Sequence, residues 1–112
     1  MEERKKVVFI SGPITGVDKY WEAFEWAEDM ISGLGYIPLS PAHLPFGMTD
    51  AAYMRISLAM IDGADAVAVL PGAHKSRGAC IEMDYCEKVG KPVAFIYSPT
   101  QLGPDLEEVL RG

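Results

Sequence analysis

Cysteine is scarce in this chain: only Cys80 and Cys86 occur, with no Cys-x-x-Cys and no histidine at metal-ligand spacing. That excludes a disulfide framework and supplies no zinc site, so two small thiols on one helix are expected and no cofactor is called for. Long apolar runs are absent as well. Nothing approaches the roughly 20 residues of a membrane span, and the charged start Glu2-Glu3-Arg4-Lys5-Lys6 passes straight into a short apolar strand without a signal-peptide core. A soluble, cytoplasmic protein without membrane contacts is expected. Positive charge is in deficit too, because 10 Lys and Arg against 16 Asp and Glu leave a net charge of −6. The surface therefore lacks the basic face that a nucleic acid polymer requires. A small phosphorylated ligand stays compatible, since backbone N–H groups at a helix N-terminus hold phosphate without surplus cations.

What is present is the material of a single globular domain spanning residues 1–112: 49% hydrophobic and 23% charged residues, enough for a real core. Val7-Val8-Phe9-Ile10 is a continuous apolar run ended by Ser11-Gly12-Pro13, which fits a strand buried on both faces. From Asp18 to Leu34, Trp21, Phe24, Ala27, Met30, Ile31 and Leu34 recur at steps of three and four, and the gaps hold acids, as in an amphipathic helix. Tyr36-Ile37-Pro38-Leu39 is a short strand that Pro38 confines to a sheet edge. After a Pro-rich loop, Thr49 or Asp50 caps a second helix running to about Asp62. Ala66 to Leu70 is a third strand, Gly78 to Val89 a third helix stopped by Gly90, and Pro92 to Tyr97 a fourth strand, with a short helix over Pro104 to Leu110.

Strands alternating with helices imply right-handed βαβ units and hence an α/β domain with a parallel sheet covered on both faces. The natural strand order is 2-1-3-4, and a ligand crevice opens where the order reverses, between the first and third strands. Two loops leave those strands. Gly12-Pro13-Ile14-Thr15-Gly16 lets backbone approach a ligand and offers the Thr15 hydroxyl, although it is neither a dinucleotide fingerprint nor a Walker loop. In Ser76-Arg77-Gly78-Ala79-Cys80-Ile81-Glu82, Ser76 falls at the helix N-cap beside free N–H groups that suit phosphate. Glu82, about one turn further in, leans back toward the same crevice.

These two segments, Ser11-Gly12-Pro13-Ile14-Thr15-Gly16 after a strand and Ser76-x-Gly78-x-x-x-Glu82 after Ala64-Asp65-Ala66-Val67-Ala68-Val69, resemble the nucleoside 2-deoxyribosyltransferase superfamily. That group includes 2′-deoxynucleoside 5′-monophosphate N-glycosidases. The resemblance implies a flavodoxin-like three-layer sandwich and attack by a Glu carboxylate on C1′ of the sugar, releasing the base. Glu82 matches the nucleophile; Ser76 and Gly78 match the phosphate-contacting residues of the monophosphate hydrolases, where the transferases carry Asp at the position of Ser76. Gly12, Ile14, Thr15 and Gly16 match the first nucleotide-binding loop. Ser98 stands where a serine reaches phosphate across a homodimer. A nucleotide N-glycosidase is thus the expected activity, with a non-catalytic nucleotide sensor and a deoxyribosyltransferase as alternatives.

The proton donor is the departure. In the resembling proteins an Asp on the second helix, eight residues before the Asp of Ala-Asp, assists the leaving base; here that position is Ser57, which cannot act as a carboxylic acid at neutral pH. Asp62 and Asp84 are expected to face elsewhere, whereas Asp50 and His43, in or beside the loop after the second strand, are within reach. Tyr20 or Trp21 near the first loop is a candidate for stacking on a base, and Lys75 and Arg77 for assisting a phosphate. Met48, Met54 and Met60 are a candidate dimer face.

Overall fold

The computed structural model describes residues 4–96 and 106–111. Four parallel strands form one sheet, β1 (Val7–Ser11), β2 (Ile37–Leu39), β3 (Ala66–Val69) and β4 (Val93–Phe95), in the order β2-β1-β3-β4. Three helices complete the βαβ connections: α1 (Tyr20–Gly33), α2 (Asp50–Gly63) and α3 (Arg77–Val89). This is the flavodoxin-like arrangement expected from the sequence. Pro38 sits on β2 opposite Val8, at the outer edge, where a missing N–H costs no ladder bond.

Side-chain alternation along the central strands divides the interior in two. Val8 and Ile10 of β1, with Ala68 and Leu70, face Phe24, Ala27 and Ile31 of α1 and Leu106 of the helical segment 106–111. Phe9, Val67 and Val69 point the other way and pack on Ile61 of α2 and on Ala79 and Cys86 of α3. With a period of two, Ser11 must follow Phe9 onto the α2/α3 side. The last residue of β1 thereby carries a hydroxyl, fully buried, beneath two helices.

Helix ends follow local chemistry. The Thr49 side chain accepts from the Ala52 N–H at 3.1 Å and starts α2, and Ser76 accepts from the Ala79 N–H at 3.3 Å and starts α3. Gly90, at φ 74°, stops α3 in the left-handed conformation that glycine adopts without strain. α1 begins two residues later than the apolar periodicity indicates, because Lys19 itself sits in the left-handed region at φ 53° and cannot continue a right-handed turn. The fourth strand is also shorter than expected, and Tyr97 lies outside the described residues. Met54 lines a cleft and Met60 packs on the second core cluster, both half-buried.

Asp65 ties the sheet together at its opposite end. Its carboxylate accepts from the Val7 N–H at 2.7 Å, its own N–H donates to the Val7 carbonyl at 2.7 Å, and Arg4 donates to it through two nitrogens at 2.8 and 3.1 Å. These donors, Arg4 first, hold the carboxyl down to about 2. A depressed acid stabilises the fold at all pH above its unfolded value of 3.8, and that stability is lost as pH falls through about 2. Asp65→Asn is therefore expected to lose about 1 kcal/mol at neutral pH. Denaturant titrations of both proteins should show that difference closing across the interval from 3.8 to about 2.

Candidate active site

At the C-terminal edge of the sheet a cleft of about 810 Å³ opens between β1 and β3, where the strand order reverses. Gly12, Ile14 and Thr15 supply one wall, and the segment that leads into α3, Lys75 to Ala79, another. Tyr20 of α1, Leu44 and Phe46 of the loop after β2, and Asp50, Tyr53, Met54 and Ser57 of α2 complete it. Such a volume suits a ligand of nucleotide size.

Glu82 is the chemical centre of this cleft. It lies in the second turn of α3 and keeps only 7% of its surface exposed, and the Ser11 hydroxyl donates to its Oε1 at 2.7 Å. The Ser57 hydroxyl, buried to 5% exposure on α2, also favours the charged form of this carboxylate, after Ser11 in size. Burial raises the Glu82 pKa above the ordinary 4.5, and the two hydroxyl donors oppose that rise by favouring the charged form. One turn along, burial followed by the nearby Glu82 charge pushes the Cys86 thiol up, which keeps it protonated and inert. Cys80, the other free thiol, is exposed.

Seven of the residues singled out in the sequence line the cleft together: Gly12, Ile14, Thr15, Ser57, Ser76, Gly78 and Glu82. Pro13 and Gly16 do not. The Pro13 ring lies toward Gly72, and Gly16 is an exposed turn residue at φ 77°, so both shape the loop without lining the cavity. Ser98 lies outside the described residues. The acids separate cleanly: Asp62 accepts from the Tyr85 hydroxyl at 2.6 Å, Asp84 lies 3.9 Å from Lys88, and His43 pairs with Glu28 at 2.7 Å, whereas Asp50 lines the cleft. Tyr20 rather than Trp21 faces the cavity, with Trp21 46% exposed and edge-on to Tyr20 at 5.5 Å. Sequence reasoning passed over Ser11, which it treated as the end of a strand; counting the alternation from Phe9 would have placed its hydroxyl on the Glu82 side. Phe46 and Tyr53 had no signal, since a loop and an unremarkable helical turn carry them to the mouth.

The two glycines of the site do different work. A Cβ on Gly12 would meet the Leu70 side chain at 2.7 and 2.9 Å, so β1 and β3 approach only because the residue has none. A Cβ on Gly78 would meet nothing nearer than the Met54 methyl at 3.8 Å. Glycine there defies helix propensity without being needed for packing.

A parallel sheet ordered β2-β1-β3-β4, with a buried glutamate on the helix after β3 facing the crevice, has the nucleoside 2-deoxyribosyltransferase-like fold. The 2-deoxyribosyltransferase of the psychrotolerant bacterium Bacillus psychrosaccharolyticus superposes with a TM-score of 0.70 at 17% identity, over 92% of this chain and 95% of that one. A 2-deoxyribosyltransferase of Leishmania mexicana gives 0.65 at 19% identity, over 81% of this chain and 63% of that one. No curated protein sequence matches. Residues 6–95 match the family described as a domain of unknown function, DUF4406, and the chain belongs to that family.

Two outcomes follow from this geometry. Gly12→Ala should destabilise by about 1–3 kcal/mol through overpacking against Leu70, read by denaturant unfolding. Glu82→Gln removes a carboxylate whose raised pKa makes its charge unfavourable to the fold as pH rises through that value. Thermal unfolding should therefore show the variant more stable than the parent at alkaline pH and equal to it below pH 4.5, the ordinary value.

Proposed function

We propose that this protein is a hydrolase that cleaves the N-glycosidic bond of a nucleoside 5′-monophosphate, with Glu82 as nucleophile. The observation that carries this reading is a buried carboxylate lining a nucleotide-sized cleft, held by the hydroxyls of Ser11 and Ser57. A carboxylate so placed attacks C1′ or stabilises its oxocarbenium-like charge, the glycosyl ester is then opened by water, and the sugar phosphate leaves. Partial desolvation strengthens the nucleophile, the Ser11 hydroxyl keeps it aimed, and both hydroxyls favour its charged form.

The phosphate assignment rests on the start of α3. Ser76 and Gly78 line the cleft at that N-terminus, Lys75 and Arg77 flank them, and Gly78 leaves room for a close approach. Gly78→Ala should fold as well as the parent or better, by up to about 1 kcal/mol. It should also raise KM for a 5′-monophosphate more than for the matching nucleoside. Equal effects on both would remove the phosphate from this position.

A deoxyribosyltransferase is the second reading, favoured by the activities named for both structural neighbours. One assay separates the two. Ribo- and deoxyribonucleoside 5′-monophosphates with neutral and ring-alkylated bases are incubated with the protein, with and without a second free base, and products are resolved by chromatography. Hydrolysis predicts free base and sugar phosphate without an acceptor, reduced at least about a thousandfold in Glu82→Gln. Product only in the presence of the second base establishes the transferase. No release from any substrate, or undiminished release by Glu82→Gln, overturns the glycosidase. The acid limb of kcat/KM should lie above pH 4.5, because the nucleophile must be ionised and its pKa is raised above that value.

A further inference from the structure

Breaking the bond from C1′ to a base nitrogen leaves an electron pair on the ring. A neutral base departs readily only when an acid protonates it, a contribution of about 10²–10⁴ in rate. Among the described residues the cleft is poorly furnished for that step, since its acid besides Glu82, Asp50, sits where a helix N-terminus favours the charged form over the protonated one. The Ser57 hydroxyl is no acid at neutral pH, and the Tyr53 hydroxyl donates to the Pro45 carbonyl while accepting from the Met48 N–H. Lys75 and Arg77 belong to the start of α3, at the phosphate end.

The charge that α2 presents to the cleft is of the opposite sign. Asp50 lies seven residues before Ser57, two helical turns and about 10.5 Å up the axis on the same face, and it lines the cleft. In the first turn of α2 its negative charge is favoured by the helix N-terminus. Tyr20 and Phe46 add two aromatic rings to the same cavity, with Phe46 84% exposed at the mouth. A carboxylate and aromatic faces together are a receptor for an organic cation.

Resting on the glycosidase reading above, we propose that the substrate is a nucleoside 5′-monophosphate whose base is already positively charged, a ring-alkylated pyridinium or purinium, and that Asp50 is the carboxylate facing that charge. The chemistry then balances without a proton donor. A Glu82 oxygen bonds to C1′ as the bond from C1′ to nitrogen breaks, the electron pair returns to the ring nitrogen, and the base leaves neutral. Water next adds at C1′, the ester bond breaks and Glu82 regains its carboxylate. One proton passes to solvent in each turnover.

The test compares nicotinamide mononucleotide and 7-methylguanosine 5′-monophosphate with GMP and AMP at neutral pH, using the full chain. Expected are release from the two charged substrates at least about a hundredfold faster than from the neutral pair, one proton per base by pH-stat, and a rate that rises with Glu82 ionisation and then stays level. Asp50→Asn should raise KM for the charged substrates by about threefold to tenfold, with a smaller change for GMP. Comparable release from GMP or AMP overturns this proposal and leaves the glycosidase standing, as does release from the neutral pair alone. An equal KM rise for GMP and the charged substrates overturns the role of Asp50. No release from any of these nucleotides overturns both readings together.

Discussion

The arrangement of the cleft depends on one buried interaction, the carboxylate of Glu82 accepting from the Ser11 hydroxyl, with the Ser57 hydroxyl also favouring its charge. Removing a carboxylate from water is costly, and the fold tolerates it because two donors satisfy the charged form in part. The three residues come from β1, α2 and α3, so their meeting requires the sheet order, the alternation of β1 and the packing of both helices to be right at once. A site assembled from three elements is also pre-organised, since none of the three side chains can move far without disturbing the core beneath it.

That core explains why the chemistry sits on one side. Phe9, Val67 and Val69 fill the space between the sheet and the helices α2 and α3, and Ser11 continues the same row at the edge where apolar packing ends. Below it the interior is buried and apolar; above it the cleft opens. Gly12 follows at once and lets the backbone pass Leu70, turning the chain into the loop that walls the ligand space. Five residues of β1 and the glycine after them thus specify both the floor and one wall.

Much of the architecture was legible in the sequence because it rests on local signals: apolar runs for β1 and β3, three-and-four periodicity for α1, caps at Thr49 and Ser76, and a stop at Gly90. The strand order followed from the handedness of βαβ units, and Glu82 and its cleft partners from a motif after β3. What escaped was set by tertiary contact. Ser11 looked like punctuation because its role depends on which face of the sheet it meets. His43 looked available because its pairing with Glu28 joins a loop to α1, which spacing cannot reveal. Helical phase, by contrast, was readable beforehand: Asp62, five positions from Ser57, turns away to Tyr85 as expected, and Asp50 lines the cleft.

The electrostatic logic is likewise divided along the cleft, with the cations Lys75 and Arg77 and a helix N-terminus at one end and carboxylates on α3 and α2. The claim underneath all of it is that Glu82 is a desolvated carboxylate under tension between burial and two hydroxyl donors. Carbon-13 NMR titration of the glutamate side chains, with Glu82 assigned by substitution, reads this directly. The account predicts a Glu82 pKa above 4.5 that climbs further in Ser11→Ala. A value at or below 4.5, or one unmoved by the loss of the Ser11 hydroxyl, would contradict it.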